Sequence, residues 1–140
     1  VEREKLDEDG SLKSLKRIPG RGEDCLNKIL LRTEGLVVLA SSIYFYFNLE
    51  FRWPALVILL LAPDLSALGY VKNNKVGSVL YNLFHTYSVP IAIIICSVAI
   101  HSHISLMIGL LWAAHIGMDR MFGFGLKYPT KFQDTHLNRI

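Results

Sequence analysis

Residues 104–122 read ISLMIGLLWAAHIGMDRMF, and this stretch decides how the chain is built. It is apolar from Ile104 to Ala114, Ser105 excepted, and at ~1.5 Å of rise per residue that part alone crosses roughly half of a ~30 Å hydrocarbon layer as a helix. It then meets His115, Asp119 and Arg120 while still within that layer. An ionisable side chain inside a membrane span is costly even on lenient insertion scales, so it marks a functional site by default.

Three more runs of span length precede it, at residues 29–48, 53–71 and 77–100. The segments between them, 49–52, 72–76 and 101–103, are short and force antiparallel neighbours. A soluble helical core is the other way to use so much apolar sequence, but four near-span runs and a mean hydropathy of +0.34 argue against it. The expected fold is therefore all-α: an integral membrane four-helix up-down bundle over residues 29–140, closed by a segment at 123–140. Gly123 and Gly125 read as the stop of the fourth helix. Residues 1–28 are different, with basic and acidic side chains in equal number and few apolar anchors, and read as a polar, disordered tail.

The net charge of +3 is small and dispersed, which excludes a nucleic-acid-binding reading. The lysines flanking the spans act as topology signals instead. The tail, Lys72, Lys75, Lys127, Lys131 and Arg139 fall on one side, against Arg52, His101 and His103 on the other. By the positive-inside rule this is a multi-pass protein of the plasma membrane with both termini cytoplasmic. Lys127 and Lys131 are read first as such topology charges, and second as attractors of an anionic headgroup. Trp53, Tyr44 and Tyr46 suit an aromatic belt at the opposite interface, and His101 and His103 are expected to be interfacial. Cys25 and Cys96 have no zinc-type spacing and read as unpaired thiols.

Counting rise along each span places Glu34, Asp64, His85, His115 and Asp119 at similar depth, roughly 5–12 Å from the cytoplasmic face. His115 and Asp119 are four apart and share a helix face, as do Asn82 and His85, three apart. Imidazole nitrogens and carboxylate oxygens are the usual donors to zinc, manganese or iron, and facing helices can hold them rigidly. Asp64, His85, His115 and Asp119 form the candidate metal shell. Glu34 and Asp64 are the candidate catalytic carboxylates, either of which would activate a metal-bound water. Arg32, Asn82, Arg120, Lys127 and His136 are candidate supporting residues, His136 as a lid-side ligand or a solvated histidine. Pro63 and Pro90 each remove a backbone donor, freeing carbonyls around Leu59 and Thr86; a break at Pro63 would aim Asp64 inward, and Pro90 reads as a packing kink.

The order of motifs is specific: Arg32-Thr-Glu-Gly35, Ala62-Pro-Asp-Leu65 with Gly69-Tyr70, Tyr81-Asn-Leu-Phe-His-Thr86, His115-Ile-Gly-Met-Asp-Arg120, Gly123-Phe-Gly-Leu-Lys-Tyr-Pro129 and Thr135-His-Leu137. From about Leu31 to Ile140 it resembles the small bacterial integral-membrane family catalogued as domain of unknown function 4260. That resemblance implies a class of membrane protein and no activity. A fainter similarity is to membrane-bound metal-dependent hydrolases of the YdjM type, with Asp64, His85, His115 and Asp119 in the matching places. That family's histidine-arginine and second histidine are represented here only by His85-Thr86. The expected function is a metal-dependent hydrolase acting, from the cytoplasmic leaflet, on a lipid or other amphiphilic substrate in the bilayer. Its rivals are a small transporter or proton-handling protein using the same groups as a relay, and a structural bundle in which the carboxylates and histidines pair with Arg32 and Arg120.

Overall fold

The computed structural model describes residues 21–130 and 133–139, and the described residues are helical apart from turns and one isolated bridge. Helix α1 spans Arg21–Asn48, α2 Trp53–Leu60, a 3-10 helix Ala62–Val71, α3 Asn74–Phe84, α4 Ser88–Ala99, α5 His103–Phe122 and a short α6 His136–Arg139. Helix α1 thus reaches back into the polar tail, and the tail's residues 1–20, expected to be disordered, lie outside the described residues.

Helix α5 is the hub. Its residues Gly109–Gly117 are buried, apart from the half-buried Trp112, and it packs on α1, α2, α4 and the 3-10 helix. The contact with α1 is backbone against backbone. A Cβ on Gly35 would lie 2.6 Å from Arg120 Cβ and 2.7 Å from Gly117 O, and a Cβ on Gly117 would lie 2.7 Å from Gly35 O. Lipid tails are as apolar as leucine, so helices in a bilayer associate through close packing of this kind, which small residues permit.

The outer surface is the reverse of a soluble protein's. Val37, Ile58, Leu65, Ile95 and Ile104 all face outward with about half or more of their surface exposed. An apolar coat of this extent matches a hydrocarbon environment. Three stretches, Asp24–Asn48, Trp53–Val71 and Asn74–Ala99, are long and apolar enough to cross a membrane. Helix α5 has the length, at 20 residues. It carries His115, Asp119 and Arg120, which lower its hydropathy below theirs, and its buried residues face the other helices.

Two of the apolar runs are interrupted, which positions the site. The second is α-helical only as far as Leu60. Pro63 has no N–H to give Leu59 O, and the Leu61 N–H turns back to that carbonyl instead. The chain then continues as the 3-10 helix, whose ten residues exceed the usual three or four. The third run breaks at residues 85–87. Pro90 falls in the first turn of α4, where a missing N–H is harmless, so it helps start a helix and does not kink one. The Phe84 carbonyl at this break accepts a 2.7 Å hydrogen bond from Trp112 Nε1. No water is at hand within a bilayer, and these internal partners take its place.

The far turn also departs from expectation. Tyr44 is exposed as a belt residue would be, but Tyr46 is fully buried and its hydroxyl donates to Arg52 O at 2.6 Å. It pins the α1–α2 turn, where Glu50 adopts a left-handed φ of 59°. Gly123 ends α5 with φ 92°, as its sequence position implies, and Cys25 and Cys96 are both unpaired and exposed.

Candidate functional site

The two helix breaks and the middle of α5 meet at one point. Asp64 enters from the first turn of the 3-10 helix, His85 caps the end of α3, and His115 lies in the most enclosed part of α5. His115 Nε2 is 3.1 Å from His85 Nε2, and Asp64 Oδ1 is 3.6 Å from the first and 3.7 Å from the second. Around a tetrahedral zinc with bonds of about 2.0–2.1 Å, neighbouring ligand atoms stand roughly 3.3 Å apart. The three observed separations bracket that edge closely enough for small side-chain rotations to close the shell. Both histidines are buried, whereas the Asp64 side chain is 55% exposed, so the triangle has one open side.

Histidine tautomers follow from the hydrogen bonds. His85 Nδ1 lies 2.8 Å from the Tyr81 carbonyl, which can only accept, so Nδ1 carries the proton and Nε2 presents a lone pair to the centre. This is the arrangement by which metal-ligating histidines are fixed. The His115 Nδ1 atom is buried with no hydrogen-bond partner among the described residues. Its Nε2 either donates to His85 Nε2, or both lone pairs and the Asp64 carboxylate converge on the same point. In the second case a cation resolves their repulsion.

Around this triad lies a ring of supporting groups. Asp119 stands outside it, yet its Oδ2 is 3.5 Å from His85 Nε2 and accepts a 2.8 Å hydrogen bond from the Tyr81 hydroxyl. The Tyr81 ring stacks on His85 with centroids 3.6 Å apart. The Lys127 ammonium lies 3.9 Å from the Tyr81 ring centre and 5.4 Å from that of Tyr70. Asn82 holds the Lys127 backbone at both ends: Lys127 N donates to Asn82 Oδ1 at 2.7 Å, and Asn82 Nδ2 donates to Lys127 O at 2.9 Å. Burial lowers the Lys127 ammonium to about 8, against the opposing pull of the Asp119 and Asp64 carboxylates.

The remaining candidates sit further out. His136 accepts the Leu126 N–H on Nδ1 at 2.9 Å and has Arg120 Nη1 3.4 Å from Nε2, and burial then the Arg120 charge push its pKa below the usual histidine value. It therefore ties the C-terminal segment down instead of joining the triad. Arg32 packs against Gly123, where a Cβ would come 2.9 Å from its Nη2. Glu34 is exposed on α1 and does not line the cavity beside Asp64. Among the described residues, neither Arg32 nor Arg120 pairs with a carboxylate, and Asp64 and Asp119 lie instead within 3.7 Å of histidine nitrogens.

A cavity of about 820 Å³ opens over the exposed side of the triad. Asp64, Asp119, Tyr81, Arg32 and Lys127 supply its polar wall, and Ala67, Met118, Phe122 and Phe124 its apolar one. Tyr81 was not among the residues expected at the site. Tyr81 lies four before His85, a spacing that puts both on one helix face, and that was the available signal. Lys127, read first as a topology charge and also expected as a supporting residue, is 7% exposed in the fold and forms part of the cavity wall. Lys131 lies outside the described residues.

No curated protein and no solved structure matches the chain. The family described as Domain of unknown function (DUF4260) matches residues 28–140, from within α1 through the site to the C-terminal segment. The chain belongs to the DUF4260 family.

Proposed function

We propose that this protein holds a divalent metal ion (zinc, manganese or iron) on Asp64, His85 and His115, and hydrolyses an ester or phosphoester of an amphiphilic substrate drawn from the membrane. In this reading the bundle has four spans and the cavity opens in the cytoplasmic leaflet. One observation carries it: three donor atoms from three separate segments converge within bonding range of one point and leave a side open to a cavity. Structural zinc sites use four protein ligands, whereas catalytic ones use three and keep a position free.

A divalent ion there supplies Lewis acidity and lowers the pKa of water to near neutrality. The chain's own groups do the rest. The Tyr81 carbonyl fixes the tautomer of His85. The Tyr81 hydroxyl engages Asp119 Oδ2 and leaves Oδ1 to take a proton from the attacking water. Asp119 is better placed for this than Glu34, which among the described residues has no hydrogen bond or ion pair at the site. Water oxygen adds to the acyl or phosphoryl centre, the ester C–O or P–O bond breaks, and the proton held by Asp119 passes to the departing alcohol oxygen.

A proton relay is the second reading, supported by the continuous run Tyr81 hydroxyl, Asp119, His85, His115. It stops at His115 Nδ1, which has no described partner to pass the proton on. Elemental analysis of the detergent-purified protein separates the two. Near-stoichiometric metal in the wild type, lost in both Asp64→Ala and His115→Ala, is the expected result. Absence of metal after reconstitution with zinc, manganese and iron, together with proton flux into liposomes, would replace the hydrolase with the relay.

A further inference from the structure

The cavity wall carries two cations and two carboxylates, Arg32 and Lys127 against Asp64 and Asp119. With all four ionised their charges cancel. A divalent ion on the triad then leaves two positive charges in excess. A phosphomonoester head carries about −1.5 to −2 at neutral pH and balances that excess, whereas a carboxylate head balances only half of it. Lysine and arginine are also the side chains that bind phosphate, one as a point charge and one as a donor fork. On the other wall, Phe122 and Phe124 are 62% and 55% exposed, which places apolar surface at the mouth of a polar chamber. The volume falls in the range of small-molecule pockets and exceeds what a phosphate group fills.

Building on the metal reading above, we propose that the substrate is a phosphate-headed amphiphile. Its phosphomonoester lies between Arg32, Lys127 and the Asp64–His85–His115 centre, and its apolar chain leaves past Phe122 and Phe124. Lys127 is placed for this by its backbone. Asn82 clamps it on one edge and an antiparallel bridge to Thr135 on the other, so the chain path does not depend on the lysine side chain.

The test uses the full chain in detergent, loaded with zinc, and calorimetric titration in two steps. The first measures zinc binding itself. The second titrates the zinc-loaded protein with dihexanoyl phosphatidic acid, dihexanoyl phosphatidylcholine and inorganic phosphate. The expected order is phosphatidic acid tightest, and Lys127→Gln weakens it about tenfold while zinc affinity stays within about twofold, one charge-assisted contact being lost. Arg32→Gln, at an exposed position where the fold is not at stake, weakens it in the same direction. Failure of zinc to bind overturns the metal reading and this inference together. Zinc binding with phosphatidylcholine as tight as phosphatidic acid, or with both variants unchanged, overturns this inference alone. Inorganic phosphate binding as tightly as phosphatidic acid overturns the amphiphile and leaves free phosphate as the ligand.

Discussion

Helices α1 and α5 run unbroken for 28 and 20 residues and touch through the bare backbones of Gly35 and Gly117. The two apolar stretches beside them are each broken once, near Leu61 and at residues 85–87, and each break carries a residue of the triad. The difference separates two jobs. A side chain on a continuous helix leaves at an angle fixed by the helix, so α5 can only present His115 to whatever lies opposite. At a break the direction of the side chain is no longer set by 3.6-residue geometry, and Asp64 and His85 can be turned toward His115. The unbroken pair supplies position and the broken pair supplies aim. In lipid the breaks survive only because Leu61 and Trp112 satisfy the carbonyls they release.

The comparison can be broken on either side. The largest effect is expected from Gly117→Leu, which forces a side chain into space held by Gly35 O and the Leu39 backbone. It should cost about 3 kcal/mol, read as a lower melting temperature in detergent, and zinc binding should fail with the fold. A variant that melts like the wild type would show that the α1–α5 contact is not the scaffold. Trp112→Phe strikes the broken side alone, leaving Phe84 O without its donor next to His85. We expect a loss of about 1–3 kcal/mol in stability and of roughly ten- to a hundredfold in zinc affinity, since a support of the ligand is removed while the scaffold stays. Unchanged zinc affinity would mean that the break needs no lock.

The smallest effect concerns pH. Lys127 faces the Tyr70 and Tyr81 rings and the Asp64 and Asp119 carboxylates, and its ammonium is lowered to about 8. Phosphate ionises near pH 6, so between pH 7 and 9 the phosphate of phosphatidic acid gains no more than a small fraction of charge, while Lys127 loses its proton. Affinity should fall several-fold over that interval, approaching about tenfold, and Lys127→Arg should flatten the profile because a guanidinium stays charged. An identical fall in Lys127→Arg would assign the titration to another group.

Much of this was legible because hydrophobic runs and depth are simple quantities. Length and apolarity located the helical stretches, and counting rise along them placed Asp64, His85 and His115 at one level, where they meet. Glu34 lies at the same depth by that count but on an exposed face, because depth fixes height along a helix and leaves rotation about it open. The break at residues 85–87 was invisible: Pro90 suggested a kink, and nothing in Thr86 or Tyr87 announces a helix end. Pro63 was a clearer sign, since a proline cannot serve the carbonyl four residues back. Tyr46 was misassigned, and Lys127 was read as a topology charge ahead of a site residue, for one shared reason. Composition near a membrane interface says what a residue type usually does there, and tertiary contacts with Asn82 and Arg52 decided otherwise.

Asp64, His85 and His115 also lie far apart along the chain, on three successive stretches that a ribosome delivers in turn. The first two can be inserted, and even paired, before the cluster of Asp64, His85 and His115 exists. It comes into being only when α5 enters among its predecessors, and Lys127 arrives later still to wall the chamber. A metal ion captured there would stabilise the finished assembly alone, because the ligands come together only in it. On the proposed metal reading, loading would then be the last event of biogenesis, and a chain that stalls before α5 would be left without the ion that would mark it as complete.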